Sequence, residues 1–233
     1  MQRKCFVGVM GLVVMVALLY APPVVRAKDK VVLGHPEALS GQYAKAGAQA
    51  VGGIKAIVSW INQVYGGVNR EGKKVPLTYM VYDCESKKEA VTSLIARLVT
   101  VDKADAILAP YSSGLTLRGA PVAESYKMLY LDHGGASDHI FQQGFQYIVQ
   151  SIGPASRYHV GTLDLIRQTD PKARRVALAY ENDEFAKAVM EGAAASAKAL
   201  GFDIVFKGSV TKRLLARHGS VCSQERLLIW HGL

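Results

Sequence analysis

The chain has 233 residues, a formal charge of +9 and three cysteines, with half its residues hydrophobic and a fifth charged. That length holds one large domain or two small ones, and the apolar share makes a packed globular core the default. Cys5, Cys84 and Cys222 are too few for a disulfide scaffold and have no zinc-ligand spacing, so stability must come from the core.

The first 27 residues read as a secretory signal peptide cut before Lys28. Arg3 and Lys4 precede an uncharged apolar run of 16 residues, Cys5 to Tyr20, and Val25 and Ala27 supply the small-residue cleavage positions. The run is short for a membrane span and Pro22-Pro23 follows it at once. Setting this leader aside lowers the charge from +9 to +6, and the last 25 residues carry another +3. The body from Lys28 to Gly208 therefore holds only about +3, with no basic stripe interleaved with aromatics, and no nucleic-acid partner is expected.

Short β-branched runs then alternate with helical stripes. Strands are expected at Lys30–Pro36, Val75–Asp83, Asp105–Tyr111, Met128–Asp132, Tyr147–Ser151, Arg175–Glu181 and Phe202–Gly208. One stripe runs through Val51, Ile54, Ile57, Val58, Ile61 and Val64 to a Gly66-Gly67 stop. A second takes Val91, Leu94, Ile95, Leu98 and Val99, and a third takes Val189, Met190, Ala193, Ala197 and Leu200 before Gly201. This alternation predicts an α/β fold with a doubly wound parallel sheet. The rhythm breaks near residues 146–156 and restarts at Arg157, which divides the mature chain into lobes at 28–148 and 149–208. The tail, 209–233, shows no strand and no continuation of the alternation. It reads as out of frame or truncated, with an amphipathic helix through Leu214, Leu215 and His218 as the alternative.

In a doubly wound sheet, ligands collect beyond the carboxyl ends of the strands. "AILAPY" ends there, and Ser112, Ser113 and Gly114 open a helix whose free N–H groups suit a carboxylate or phosphate. Serine is equally a favoured helix cap, and both readings stand. Gly134 to Ser137 form a second permissive loop after the next strand. Asp132, His133, Asp138 and His139 match no standard ligand set, so no metal and no cofactor is expected. There is no G-x-S-x-G elbow and no phosphate loop. A Ser113–His133–Asp132 triad asks adjacent Asp and His side chains to point the same way, so an exported hydrolase is the remote alternative.

Taken in order, "LSGQYAKAG", "WINQVYGGVN", "VYDCESKKEAV", "APYSSGLT", "APVAE", "GGASDHIFQQGFQYIVQS" and "VALAYENDEFAKAVMEG" resemble the substrate-binding proteins of ABC transporters, leucine/isoleucine/valine type. These are type I periplasmic binding proteins, and the resemblance covers about Lys30 to Gly208. It implies two α/β lobes that close on a small ligand, no enzymatic activity, and delivery of an amino acid to an inner-membrane ABC permease from the periplasm. Carried over by position, Ser112 and chiefly Ser113 take the ligand carboxylate, Gly134 and Ala136 contact the ligand from the next loop, and Tyr43 and Phe185 pack on it. Tyr111 stands where the pocket for the ligand side chain begins.

The departures widen the ligand class. Ala136 replaces a threonine of the branched-chain binders and Phe185 a tyrosine, which admits another carboxylate, an amide or an aromatic acid. Cys84 matches a disulfide cysteine whose partner position is Ser112, so that bond cannot form. The family's second lobe is longer than the part present before Gly208, so the first lobe is expected complete, the second partial, and binding impaired. An exported ligand-sensing domain of the same fold is the nearer alternative to uptake.

Overall fold

The computed structural model describes residues 29–210 and the backbone of Leu227–Trp230. The predicted signal peptide and the predicted helix around Leu214 to His218 lie outside the described residues.

The first sheet is built from β1 (Val31–Glu37), β4 (Leu77–Asp83), β5 (Ala106–Leu108), β6 (Tyr130–Asp132) and β7 (Ile148–Gln150). Its order is β4-β1-β5-β6-β7 and every pairing is parallel, as the strand–helix alternation predicts. Order reverses between β1 and β5, the switch point where a doubly wound sheet opens a crevice at its carboxyl edge. β1 pairs with β5 only at Leu33–Ala106 and Gly34–Ile107. Pro36, which has no N–H to give, lies just beyond, where the two strands part.

Three helices serve this sheet: α1 (Ala44–Tyr65), α2 (Lys88–Thr100) and α3 (Ser113–Ser125). α1 ends on Gly66 in the left-handed conformation, φ 69°, whose N–H bonds Ile61 O, as the Gly-Gly stop predicts. Val91, Ile95 and Leu98 of α2 and Leu115, Ala120 and Ala123 of α3 bury one core with Val32, Ile107 and Tyr130. Ile57, Trp60, Val64 and Tyr65 of α1 stay exposed.

The expected strand at Val75–Asp83 is cut by Pro76. Val75 belongs instead to a small hairpin of β2 (Val68–Arg70) and β3 (Lys73–Val75). After β7 come α4 (Val160–Thr169), β8 (Arg175–Glu181), α5 (Glu184–Ala199) and β9 (Asp203–Val210). β8 and β9 are parallel and begin a second sheet, with Leu178, Val189, Ala193 and Ala194 in one apolar cluster and Leu163, Val176, Ala197 and Phe202 in another. The tail departs from expectation. β10 (Leu227–Trp230) pairs antiparallel with β8, so a strand forms where the sequence shows none. The free edge of β8 offers unpaired N–H and C=O groups, and a short apolar run satisfies them whatever its periodicity.

Candidate ligand site

Beyond β5 the chain runs through Pro110 and Tyr111 into the start of α3. Ser112, the N-cap, adopts φ 103° and ψ 142°, a region costly for any residue with a Cβ. Its Oγ accepts from Leu115 N at 3.4 Å, and its carbonyl accepts from Leu115 N and Thr116 N. Thr116 Oγ1 donates back to Pro110 O at 3.0 Å, which locks the turn. Ser113 is buried and its Oγ accepts from Ser137 N at 3.1 Å. That bond ties the loop after β6 to the start of α3.

The same loop is held by Asp132, whose Oδ1 accepts from Gly134 N at 3.0 Å and Gly135 N at 2.7 Å. Oδ2 is buried without a hydrogen-bond partner among the described residues, and burial pushes the Asp132 carboxyl up to about 6. Ala136 O accepts from Ala155 N at 2.7 Å, and its methyl is packed in the cluster with Leu178 and Val189. α5 starts opposite, capped by Asp183 Oδ1 on Ala186 N at 2.8 Å. Glu184 Oε1 accepts from Ser137 Oγ at 2.9 Å and lies 2.8 Å from His139 Nδ1. Phe185 packs against the Ala136 cluster and stands edge-on to Tyr158, ring centroids 5.5 Å apart.

The seven sequence-predicted residues thus fall into two groups joined through Ser112. Tyr43 and Tyr111 meet edge to face at 5.8 Å, and Gly134 abuts the Tyr111 backbone. Ser113, Ala136 and Phe185 gather around Ser137 and the start of α5. The Gly134 N–H and the Ala136 carbonyl are both engaged within the protein. The Ser113–His133–Asp132 triad does not form, because each side chain is bonded elsewhere. The Asp132, His133, Asp138, His139 set is likewise dispersed, with Asp138 on Ser156 and His139 on Glu184. Cys84 is buried and unbridged.

Sequence reasoning misses the most polar feature of the crevice. His35 and Glu37 lie on one face of β1, fully buried, beside His133 from the end of β6. Glu37 Oε1 accepts from Ala38 N at 2.7 Å and Tyr111 N at 2.9 Å. Burial alone would raise the Glu37 carboxyl, but the hydrogen bonds with His133 and His35 outweigh it and bring it to about 2. Burial lowers His35 despite the attraction of Glu37. The pair is therefore an ionised Glu37 beside a neutral His35, with the Ala38 and Tyr111 N–H groups stabilising the charge. Two polar residues two apart in an otherwise apolar strand are the only local signal of this cluster.

The sequence profile of the periplasmic binding protein family matches residues 30–212. The chain belongs to that family. Among its relatives, this periplasmic binding protein is 26% identical over 176 residues to a Leu/Ile/Val-binding protein homolog 8 of Brucella abortus, covering 72% of this chain and 42% of that one. It is 25% identical over 179 residues to an amino acid binding protein of Pseudomonas aeruginosa, covering 76% and 46%. The chain spans less than half the length of either relative. Among solved structures, the fold is similar to an ABC-transporter solute-binding protein of Rhodopseudomonas palustris in complex with 3,4-dihydroxybenzoic acid, with a TM-score of 0.69, 19% identity, and 82% and 51% coverage. It is also similar to the branched-chain amino acid transporter substrate-binding protein LivJ of Streptococcus pneumoniae in complex with isoleucine, with a TM-score of 0.67, 20% identity, and 81% and 53% coverage.

Proposed function

We propose that this chain is the ligand-binding part of an exported ABC-transporter solute-binding protein that takes a small carboxylate, an amino acid or an aromatic acid, and presents it to an inner-membrane permease. The observation that carries this reading is the start of α3. A strained Ser112 sits at the switch point of the sheet and presents the Ser113 and Gly114 N–H groups, which precede the first intrahelical bond. Strain of this kind persists where the surroundings enforce it, and it collects at ligand clamps. A helix start supplies hydrogen-bond donors and a partial positive charge for an anion.

Ser112 and Ser113 take the carboxylate in this reading, with Tyr43 and Tyr111 forming an aromatic wall and Phe185 closing from the side of α5. Gly134 and Ala136 set the loop that carries Ser137 into place. The lobes divide near residue 149, where the first sheet ends at Gln150 and the second begins at Arg175. Residues 1–27 act as a cleaved signal peptide that takes the protein to the periplasm.

The test is a thermal-melting screen of the purified protein against the proteinogenic amino acids and a panel of benzoates. A true ligand at about 100 times its Kd adds about 2.7 kcal/mol of stability, a shift of several degrees. Absence of any shift across both classes would refute the proposal.

A further inference from the structure

We propose that His35, Glu37 and His133 form a site for one divalent transition-metal ion of the zinc class at the base of the crevice. His35 Nε2 lies 3.1 Å from Glu37 Oε2, His133 Nε2 lies 3.2 Å from His35 Nε2, and His133 Nε2 lies 3.5 Å from Glu37 Oε2. Ligands held 2.0–2.2 Å from a tetrahedral zinc stand about 3.3–3.6 Å apart, so the triangle is close to one face of such a tetrahedron. Two imidazoles and one carboxylate select this class of ion over calcium or magnesium.

The hydrogen-bond pattern is compatible with a bound ion in one tautomer of His35. His35 Nε2 faces Glu37 Oε2, His133 Nε2 and the Ala109 carbonyl, the last at 3.1 Å. If Nε2 carries hydrogen, the Glu37 carboxylate and the Ala109 carbonyl share it. If it does not, a bare lone pair faces a carboxylate and a carbonyl. A cation bound at Nε2 relieves this second arrangement, in which Nδ1–H donates to the Tyr79 hydroxyl. The outer partners are also those a metal ligand needs. His35 Nδ1 lies 2.6 Å from the Tyr79 hydroxyl, which fixes the ring, and the shorter backbone N–H contacts of Glu37 go to Oε1, from Ala38 at 2.7 Å and Tyr111 at 2.9 Å, while Oε2 shares only the Tyr111 N–H at 3.2 Å and keeps a lone pair for the ion.

Burial defines the coordination. His35 and Glu37 are sealed from solvent, while the His133 side chain keeps 24% of its surface exposed. The fourth position therefore opens on the side of His133, next to Gly134 and Tyr111, where a water or an anionic ligand atom completes the tetrahedron. The site does not depend on which organic ligand the crevice takes.

The experiment uses the tag-free purified protein, stripped with a chelator and titrated with Co2+ by visible absorption and with Zn2+ by calorimetry. One saturable equivalent is expected, with the intense absorption of tetrahedral Co2+. His133→Ala, at a partly exposed position, is expected to abolish this binding with an unchanged circular dichroism spectrum. Tyr79→Phe is expected to weaken it about 10–100-fold. A wild-type protein that takes up no stoichiometric Co2+ or Zn2+ overturns the proposal, and that result needs no variant to fold. Binding that survives His133→Ala overturns it, and so does binding lost in His139→Ala, because the ion would then sit on the surface cluster in which His139 lies 2.8 Å from Glu184 and 3.5 Å from Glu191.

Discussion

Replacing Ser112 by glycine should stabilise the protein while removing a group that faces the proposed ligand. The φ of 103° places Ser112 where a Cβ is costly and glycine is not. Strain at such positions is on the order of 1–3 kcal/mol. Against this stands the loss of the cap, in which Ser112 Oγ accepts from Leu115 N at a long 3.4 Å. Serine to glycine at an N-cap costs only a few tenths of a kcal/mol, and the greater freedom of glycine in the unfolded chain adds about 0.5–1 kcal/mol. Over most of this range strain relief exceeds the two losses, and the net change runs from about zero to a gain of about 2 kcal/mol. Ser112→Ala keeps the strain and loses the cap, so it should cost about 1 kcal/mol. Urea unfolding of the three proteins followed by circular dichroism measures both differences. A Ser112→Gly variant with a midpoint below wild type would show that the backbone at the start of α3 stores no strain, and the main support for the carboxylate site would fall with it.

Three further outcomes follow from packing, burial and the aromatic wall. Gly192→Ala should destabilise by about 1–3 kcal/mol, because the added Cβ would stand 2.0 Å from Ser156 O and force α5 off the turn beneath it, outweighing the roughly 1 kcal/mol gained in helix propensity. Gly52→Ala in α1 meets nothing within 4 Å and should raise the urea midpoint instead, so equal behaviour of the two variants would contradict the packing described. Cys84 should resist iodoacetamide in the folded protein, because burial pushes its thiol up to about 11. At about pH 9 only about 1% is thiolate, against about three quarters for an ordinary thiol, and peptide mapping that shows rapid native-state alkylation would refute this. Tyr111→Ala should weaken binding of any ligand found in the melting screen about tenfold or more with little change in stability, as read by calorimetry, since the ring is partly exposed and meets Tyr43 edge to face.

What the sequence makes legible is local. The α1 stripe ends at Gly66 because that residue adopts a left-handed conformation, and the apolar runs at β1, β5 and β6 lie in the interior of a parallel sheet. The serines after β5 are legible for the same reason, since a strand that hands over to a helix at Ser112 needs a cap. The hairpin of β2 and β3 is not, because its turn uses Glu71 and Gly72 with φ of 49° and 81°, a weaker signal than Asn-Gly or Asp-Gly. The pairing of β10 with β8 depends on a free sheet edge, which only the assembled fold reveals. The cluster of His35, Glu37 and His133 joins residues 98 positions apart, and no periodicity links them. Gly134 and Ala136 lie in the loop beside α3, where the Gly134 N–H donates to Asp132 and the Ala136 carbonyl accepts from Ala155 N.

The most direct test of the account compares a free carboxylate with its methyl ester at the start of α3. Isoleucine and 3,4-dihydroxybenzoate, the ligands of two proteins of similar fold, are suitable starting compounds for calorimetric titration of the purified protein, followed by the best ligand from the melting screen. Saturable one-site binding of the acid, weakened at least tenfold in the ester, is the predicted result, since the ester removes the charge that the helix start attracts. An ester that binds as tightly as the acid would contradict the assignment of Ser112 and Ser113 to a ligand carboxylate.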